Sequence, residues 1–250
     1  MLPVAFVPST PLLHPEIAGS AAVATAKTRG AARRAVDTLL SRTTVLVLGG
    51  LGIGGRPPQP TQHEPVQEWP ASTADCLPGF GLAGRIGAAE GPLPLSLSLG
   101  RLLLMDGGFD GAMKLISLHG SPQAVTAGAH RLDLPPDCGL LVVGDGTATR
   151  TDKSPGHHIA GAAELDDHLA EALRAGDPRV FNRLPTSADT QFLLDGRCAW
   201  QGAVTISSRF GSPRAAELLA FEAPHGVAYF VATWLVGEPN GDAPNQGRGG

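Results

Sequence analysis

The chain has 250 residues, of which 42% are hydrophobic, and its formal net charge is −4. That acidic balance excludes the basic footprint of a nucleic-acid binder and gives no attraction to an anionic membrane surface. Cys76, Cys138 and Cys198 are dispersed and form no CxxC pair, which excludes a disulfide framework and a cysteine zinc site.

Residues 1–13 carry no basic group ahead of their apolar part and contain Pro3, Pro8 and Pro11, so they do not read as a secretory signal. No apolar run approaches the ~20 residues of a spanning helix. The expectation is a soluble cytoplasmic protein with one α/β domain over residues 1–236 and a disordered tail, 237–250, rich in glycine, proline and polar residues.

In chain order, residues 3–7 are apolar and bounded by prolines, which predicts the first strand. Residues 21–40 are alanine-rich with Val36, Leu39 and Leu40 at helical spacing, which predicts a helix weakened at Gly30. Residues 44–48 predict a second buried strand. Gly50-Leu51-Gly52-Ile53-Gly54-Gly55 matches GxGxxG, but Pro57, Pro58 and Pro60 stop the helix that a dinucleotide turn must open. A glycine loop is the reading adopted there.

Residues 54–92 lack periodicity and predict a long surface excursion. Residues 93–104 are apolar, and Ser98 is expected to cap a short helix that ends near Gly107 and Gly108. Residues 112–118 read as a strand, and Ser121-Pro122 opens a helix to about Arg131. Leu140 to Val143 is a buried strand that ends abruptly in Gly144-Asp145-Gly146-Thr147-Ala148-Thr149-Arg150. An apolar strand opening into glycines, an acid, hydroxyls and an arginine is where α/β sheets place ligands. Asp145, Thr147 and Arg150 are therefore candidate ligand-binding residues. The bland roles open to them are amide capping for Asp145 and ion pairing for Arg150.

Residues 164–175 predict an amphipathic helix with Leu165, Leu169 and Leu173 on one face, stopped by Gly176. Helices are also expected from Asp177-Pro178, from Ser187 to near Gly196, and over residues 198–207. Strands over 217–221 and 227–236 close the fold. No GxSxG and no Gly-Lys-Ser/Thr occurs, so neither a serine-hydrolase elbow nor a phosphate loop is present.

Three stretches carry a resemblance: Val7-Pro8-Ser9-Thr10-Pro11-Leu12-Leu13-His14-Pro15-Glu16; Gly144 to Arg150 with Ser154-Pro155-Gly156; and Ala223-Pro224-His225-Gly226-Val227-Ala228-Tyr229-Phe230-Val231-Ala232-Thr233-Trp234. Together they resemble the proteins built like the B-type subunit of class III extradiol ring-cleavage dioxygenases, especially a divergent actinobacterial branch. The resemblance implies an α/β fold with a central, largely buried mixed sheet flanked by helices. In active members it also implies a non-haem Fe(II) held by two histidines and a carboxylate, with a further histidine as acid/base.

Carried over residue by residue, the first-loop histidine place falls on Ser9, with His14 five residues later. The acid/base place falls on Ala148, which can neither ligate nor transfer a proton. Glu222 lies near the place of the carboxylate ligand. His14, His63 and Glu222 are the remaining candidates for an Fe(II) or other divalent-metal site. His157, His158 and His225 are candidates for a relocated acid/base, and Ser9 joins the ligand-binding set. Each of these histidines also has an ordinary reading as a solvated loop residue.

Two functions follow. The first is a degenerate member that binds a small molecule or a protein partner at the old cleft. The second is a metal-dependent oxidoreductase that opens aromatic diols with a rearranged site. Ser9 and Ala148 favour the first, and nothing in the sequence opposes a homo-oligomer.

Overall fold

The computed structural model describes residues 1–51, 64–82 and 92–237. Its strands are β1 (Leu2–Val7), β2 (Thr44–Gly49), β3 (Val66–Trp69), β4 (Ala112–Leu118), β5 (Cys138–Val143), β6 (Pro213–Glu222) and β7 (Tyr229–Val236). They join one mixed sheet in the order β3-β4-β2-β5-β1-β7-β6. β1, β2, β4 and β5 run parallel, while β3, β6 and β7 are added antiparallel towards the two edges.

Every residue of β1, β2 and β5 is buried. This explains their unbroken apolar runs, because a strand covered on both faces has no reason to alternate. The helices that cover them are α1 (Pro15–Ala18), α2 (Ala26–Asp37), α3 (Leu95–Asp106), α4 (Pro122–His130), α5 (Ala162–Ala175), α6 (Pro178–Asn182), α7 (Ser187–Gln191) and α8 (Arg197–Ser207). On one face, Ala31, Ala32 and Ala35 of α2 and Leu97 of α3 pack on Val7, Val47, Leu141 and Val143. On the other, α4, α5, α6 and α8 pack Val125, Leu169, Phe181 and Trp200 on Phe6, Leu46, Leu48 and Val142. The helix α2 that follows β1 and the helix α3 that follows β2 and β3 lie on one face, and α5, which follows β5, lies on the opposite face. A change of face at adjacent parallel strands opens a crevice at their carboxyl ends.

Several boundaries differ from expectation. The helix predicted over 21–40 is confined to Ala26–Asp37, preceded by a 3-10 turn at Gly19–Ala22. Ser98 does not cap α3. The helix starts after Pro94, and the buried Ser98 hydroxyl accepts a hydrogen bond from the Cys76 N–H (3.1 Å). The excursion after β2 carries regular structure in its described part, namely β3 and a 3-10 turn at Leu77–Phe80. β3 is a four-residue edge strand, too short to show a period. It is held by pairing with β4 and by the Trp69 indole N–H donating to Ser117 Oγ (2.9 Å). The helix expected from Ser187 to Gly196 ends at Gln191, and β6 is longer than predicted. Residues 52–55 of the glycine loop, His63 and positions 238–250 of the tail lie outside the described residues.

Among the described residues no helix is long and apolar enough to cross a membrane. The three cysteines are free thiols.

Candidate functional site

β1 and β5 are parallel neighbours with Val7 opposite Val143, so both strands end at the same level. The Gly144 N–H donates to the Val7 carbonyl (3.0 Å), which carries the pairing one step into the loops. Ser9 and Asp145 are thereby set side by side. The Ser9 N–H donates to Asp145 Oδ1 (2.7 Å), and the Ser9 hydroxyl donates to Asp195 Oδ2 (2.6 Å). One serine therefore bridges two carboxyl groups at the carboxyl ends of the sheet.

Asp195 arrives from the loop between α7 and α8. The Gly196 N–H donates to the Asp145 carbonyl (2.8 Å), and Gly144 and Gly196 pack backbone against backbone. Tyr229, the single tyrosine of the chain, starts β7 beside the pair, and its hydroxyl bonds with Thr10. Ser9, Thr10 and Tyr229 are buried, whereas Asp145 and Asp195 keep part of their surface in solvent.

Asp145 retains some solvent contact as a residue, yet its carboxyl sits deep among protein atoms, and the second fact governs its proton affinity. Burial, with the Asp195 charge adding to it, pushes the Asp145 carboxyl up to about 8 against the hydrogen bonds from Ser9. At neutral pH Asp145 is mostly a neutral acid, able to donate one hydrogen bond and to accept others. Burial, then the Asp145 charge, pushes the Tyr229 phenol up to about 12, so it remains a neutral hydroxyl.

The loop after β5 is pinned from below by α5. Asp166 is wholly buried and accepts from the Thr147 N–H (2.9 Å), the Thr147 hydroxyl (2.7 Å) and the Arg150 guanidinium (2.8 Å). Burial raises the Asp166 carboxyl above its ordinary range, and these hydrogen bonds oppose the rise. Arg150 also lies over the Phe221 ring, 5.3 Å from its centroid. Thr147 and Arg150 thus hold the loop in shape, and of the predicted ligand-binding residues Ser9 and Asp145 meet directly, at the carboxyl ends of β1 and β5.

The remaining candidates are dispersed. His14 lies between α1 and α3, with Nε2 3.9 Å from Asp106 Oδ2. Glu222 ends β6 and accepts from the Thr28 hydroxyl (2.6 Å), with Lys27 Nζ at 3.6 Å. Among the described residues the two share no partner, and His63 lies outside the described residues. Among the described residues no group of three His, Cys, Asp or Glu side chains is arranged to hold a metal. A two-histidine, one-carboxylate iron site needs its donors on one centre. The Asp145–Asp195 pair offers carboxyls and a hydroxyl without an imidazole, so the residues present do not fit that group.

His157, His158 and His225 are exposed, in the turns 151–161 and 223–228. His157 adopts φ +59°. These two turns are tied together instead by Ser154, whose hydroxyl donates to the Gly226 carbonyl (3.0 Å).

Sequence reasoning missed Asp195, Thr10 and Tyr229. Asp195-Gly196 just before a helix is a local turn signal, but nothing in it points to Asp145.

No family model matches the chain, and no curated protein matches it. Among solved structures, it is similar to the uncharacterized protein JW3007 from Escherichia coli K12, with 12% identity over 94% of this chain and 100% of that one, at a TM-score of 0.46.

Proposed function

We propose that this chain is an extradiol dioxygenase-like protein that has become a binding module. Its crevice takes a small hydroxylated molecule in place of a metal-bound catechol. The observation that carries this reading is the acid pair bridged by Ser9. At the position where the resemblance expects an imidazole ligand, Ser9 instead directs both its hydrogens to Asp145 and Asp195. A neutral Asp145 and the carboxyl of Asp195 together present oxygen acceptors and one O–H donor, which suit the hydroxyl groups of a diol. The position at the carboxyl ends of parallel strands is where α/β sheets hold ligands. Ala148 leaves no proton-transfer group at the resemblance's acid/base place.

The test uses catechol and protocatechuate as probes, with binding followed by ligand-observed NMR. The purified protein is then treated with Fe(II) under anaerobic conditions and exposed to oxygen. The expected result is binding that weakens in Asp195→Asn, with oxygen uptake no faster than the protein-free blank. Protein-dependent oxygen uptake with a yellow ring-fission product, abolished in His14→Ala or His63→Ala, would overturn the reading in favour of a rearranged metal-dependent oxidoreductase.

A further inference from the structure

We propose that a second cavity, separate from the acid pair, binds a small amphipathic anion: a carboxylate or sulfonate head on a short apolar body. The cavity lies between the loop after β1, α2 and α3 and encloses about 360 Å³, within the range of small-molecule sites. Leu13, Val36, Leu99, Leu102 and Leu103 supply an apolar wall. Leu13, Val36, Leu99 and Leu102 are otherwise buried, so an apolar ligand body meets a preformed surface.

The polar rim of the cavity carries both signs of charge, Arg29 and Arg33 with Asp37 and Asp106, and the two arginines are its cationic part. Arg29 and Arg33 stand one turn apart on α2 and so share a face. Among the described residues Arg29 donates only to the Ala22 carbonyl (3.2 Å). Among the described residues Arg33 makes no hydrogen bond or ion pair. Two guanidinium groups with no carboxylate partner among the described residues are a fork for a planar anion.

The cavity also holds two acids, Asp37 and Asp106, and Asp106 is already approached by His14 at 3.9 Å. The His14 side chain is only 10% exposed, and its Nδ1 is buried without a hydrogen-bond partner. A buried polar atom left without a partner carries a stability cost that a hydrogen-bonding group brought beside it would relieve. Nothing in the proposal depends on the crevice at Asp145, whose residues are all distinct from these.

The experiment is isothermal titration calorimetry of the full chain with sodium octanoate, using 1-octanol as the neutral comparator of equal tail length. Octanoate is expected to bind at one site per chain and about tenfold more tightly than octanol, reflecting a charge-assisted head-group contact. The double variant Arg29→Gln/Arg33→Gln should bring octanoate down to the octanol level. Both positions are at the helix surface, so folding, checked by circular dichroism, should be retained. Leu103→Trp, which places a large ring in the cavity from a half-buried position, should abolish binding of both probes. The proposal is overturned if octanoate does not bind, if octanol binds as tightly, or if octanoate binding survives in the arginine double variant.

Discussion

Gly144 and Gly196 touch backbone to backbone: a methyl group on Gly144 would lie 2.4 Å from the Gly196 Cα. No real Cβ tolerates that distance, so only glycine lets the loop before α8 close on the end of β5. The contact delivers Asp195 to Asp145, since the Gly196 N–H donates to the Asp145 carbonyl next door. Gly144→Ala is therefore expected to destabilise the fold by ~1–3 kcal/mol, the range for overpacking, and to lower the proton affinity of Asp145 by moving Asp195 away. Urea denaturation and carbonyl NMR of Asp145 read the two effects. A variant as stable as the parent with an unmoved Asp145 would show that the loop is not set by this contact.

The acid pair also makes stability depend on pH. The Asp145 carboxyl is held at about 8 in the folded chain, against about 3.9 for an unfolded aspartate. Between these values the folded state keeps a proton that the unfolded state releases. The stabilisation is complete below the unfolded value and is lost as pH rises through the folded value. Asp166, also raised by burial, acts in the same direction. The urea midpoint should fall from about pH 5 to about pH 8 and fall less in Asp145→Asn, which removes one titrating group. An equal fall in both proteins would place the dependence elsewhere.

Asp166 holds the β5 loop through three hydrogen bonds while wholly buried. Asp166→Ala removes the partner of Arg150 and leaves the Thr147 N–H unsatisfied. The expected cost is ~3–5 kcal/mol, the range for breaking a buried ion pair. Chemical denaturation measures it, and a loss under ~1 kcal/mol, typical of an exposed pair, would mean that the loop keeps its shape without this anchor.

Trp234 ties β7 to α5 and to β1. It is 2% exposed, packs edge-on against Phe6 at 4.9 Å, and its indole N–H donates to the Leu173 carbonyl (2.7 Å). Trp234→Ala should cost ~3–5 kcal/mol. Trp234→Phe keeps much of the ring and loses the hydrogen bond, so its cost should be ~1–3 kcal/mol, that of a buried carbonyl left unpaired. Equal losses in the two variants would show that the hydrogen bond, not the packing, dominates.

The elements legible in the chain are those whose local pattern is also their tertiary role. β1, β2 and β5 read as buried strands because both their faces are covered, so burial writes itself as a continuous apolar run. The stop of α5 and the start of α4 are legible for the same reason. Gly176 takes φ +66°, and the Ser121 hydroxyl accepts from the Ala124 N–H (3.2 Å), so each residue acts within its own turn. The loop after β5 is legible as a polar strand end.

The roles of the loop residues come from the folded arrangement alone. Ser98 looks like a cap in its own segment, yet its hydroxyl serves Cys76 from another part of the chain. Thr147 and Arg150 look like ligand residues, yet Asp166 on α5 takes their hydrogen bonds. Asp195 looks like an ordinary turn acid until the sheet order places β5 against β1 and the Gly144–Gly196 contact brings its carboxyl to Ser9. A residue's periodicity reports whether it is buried; which distant group meets it depends on strand order and on close approaches between segments far apart in the chain, and no local pattern encodes those.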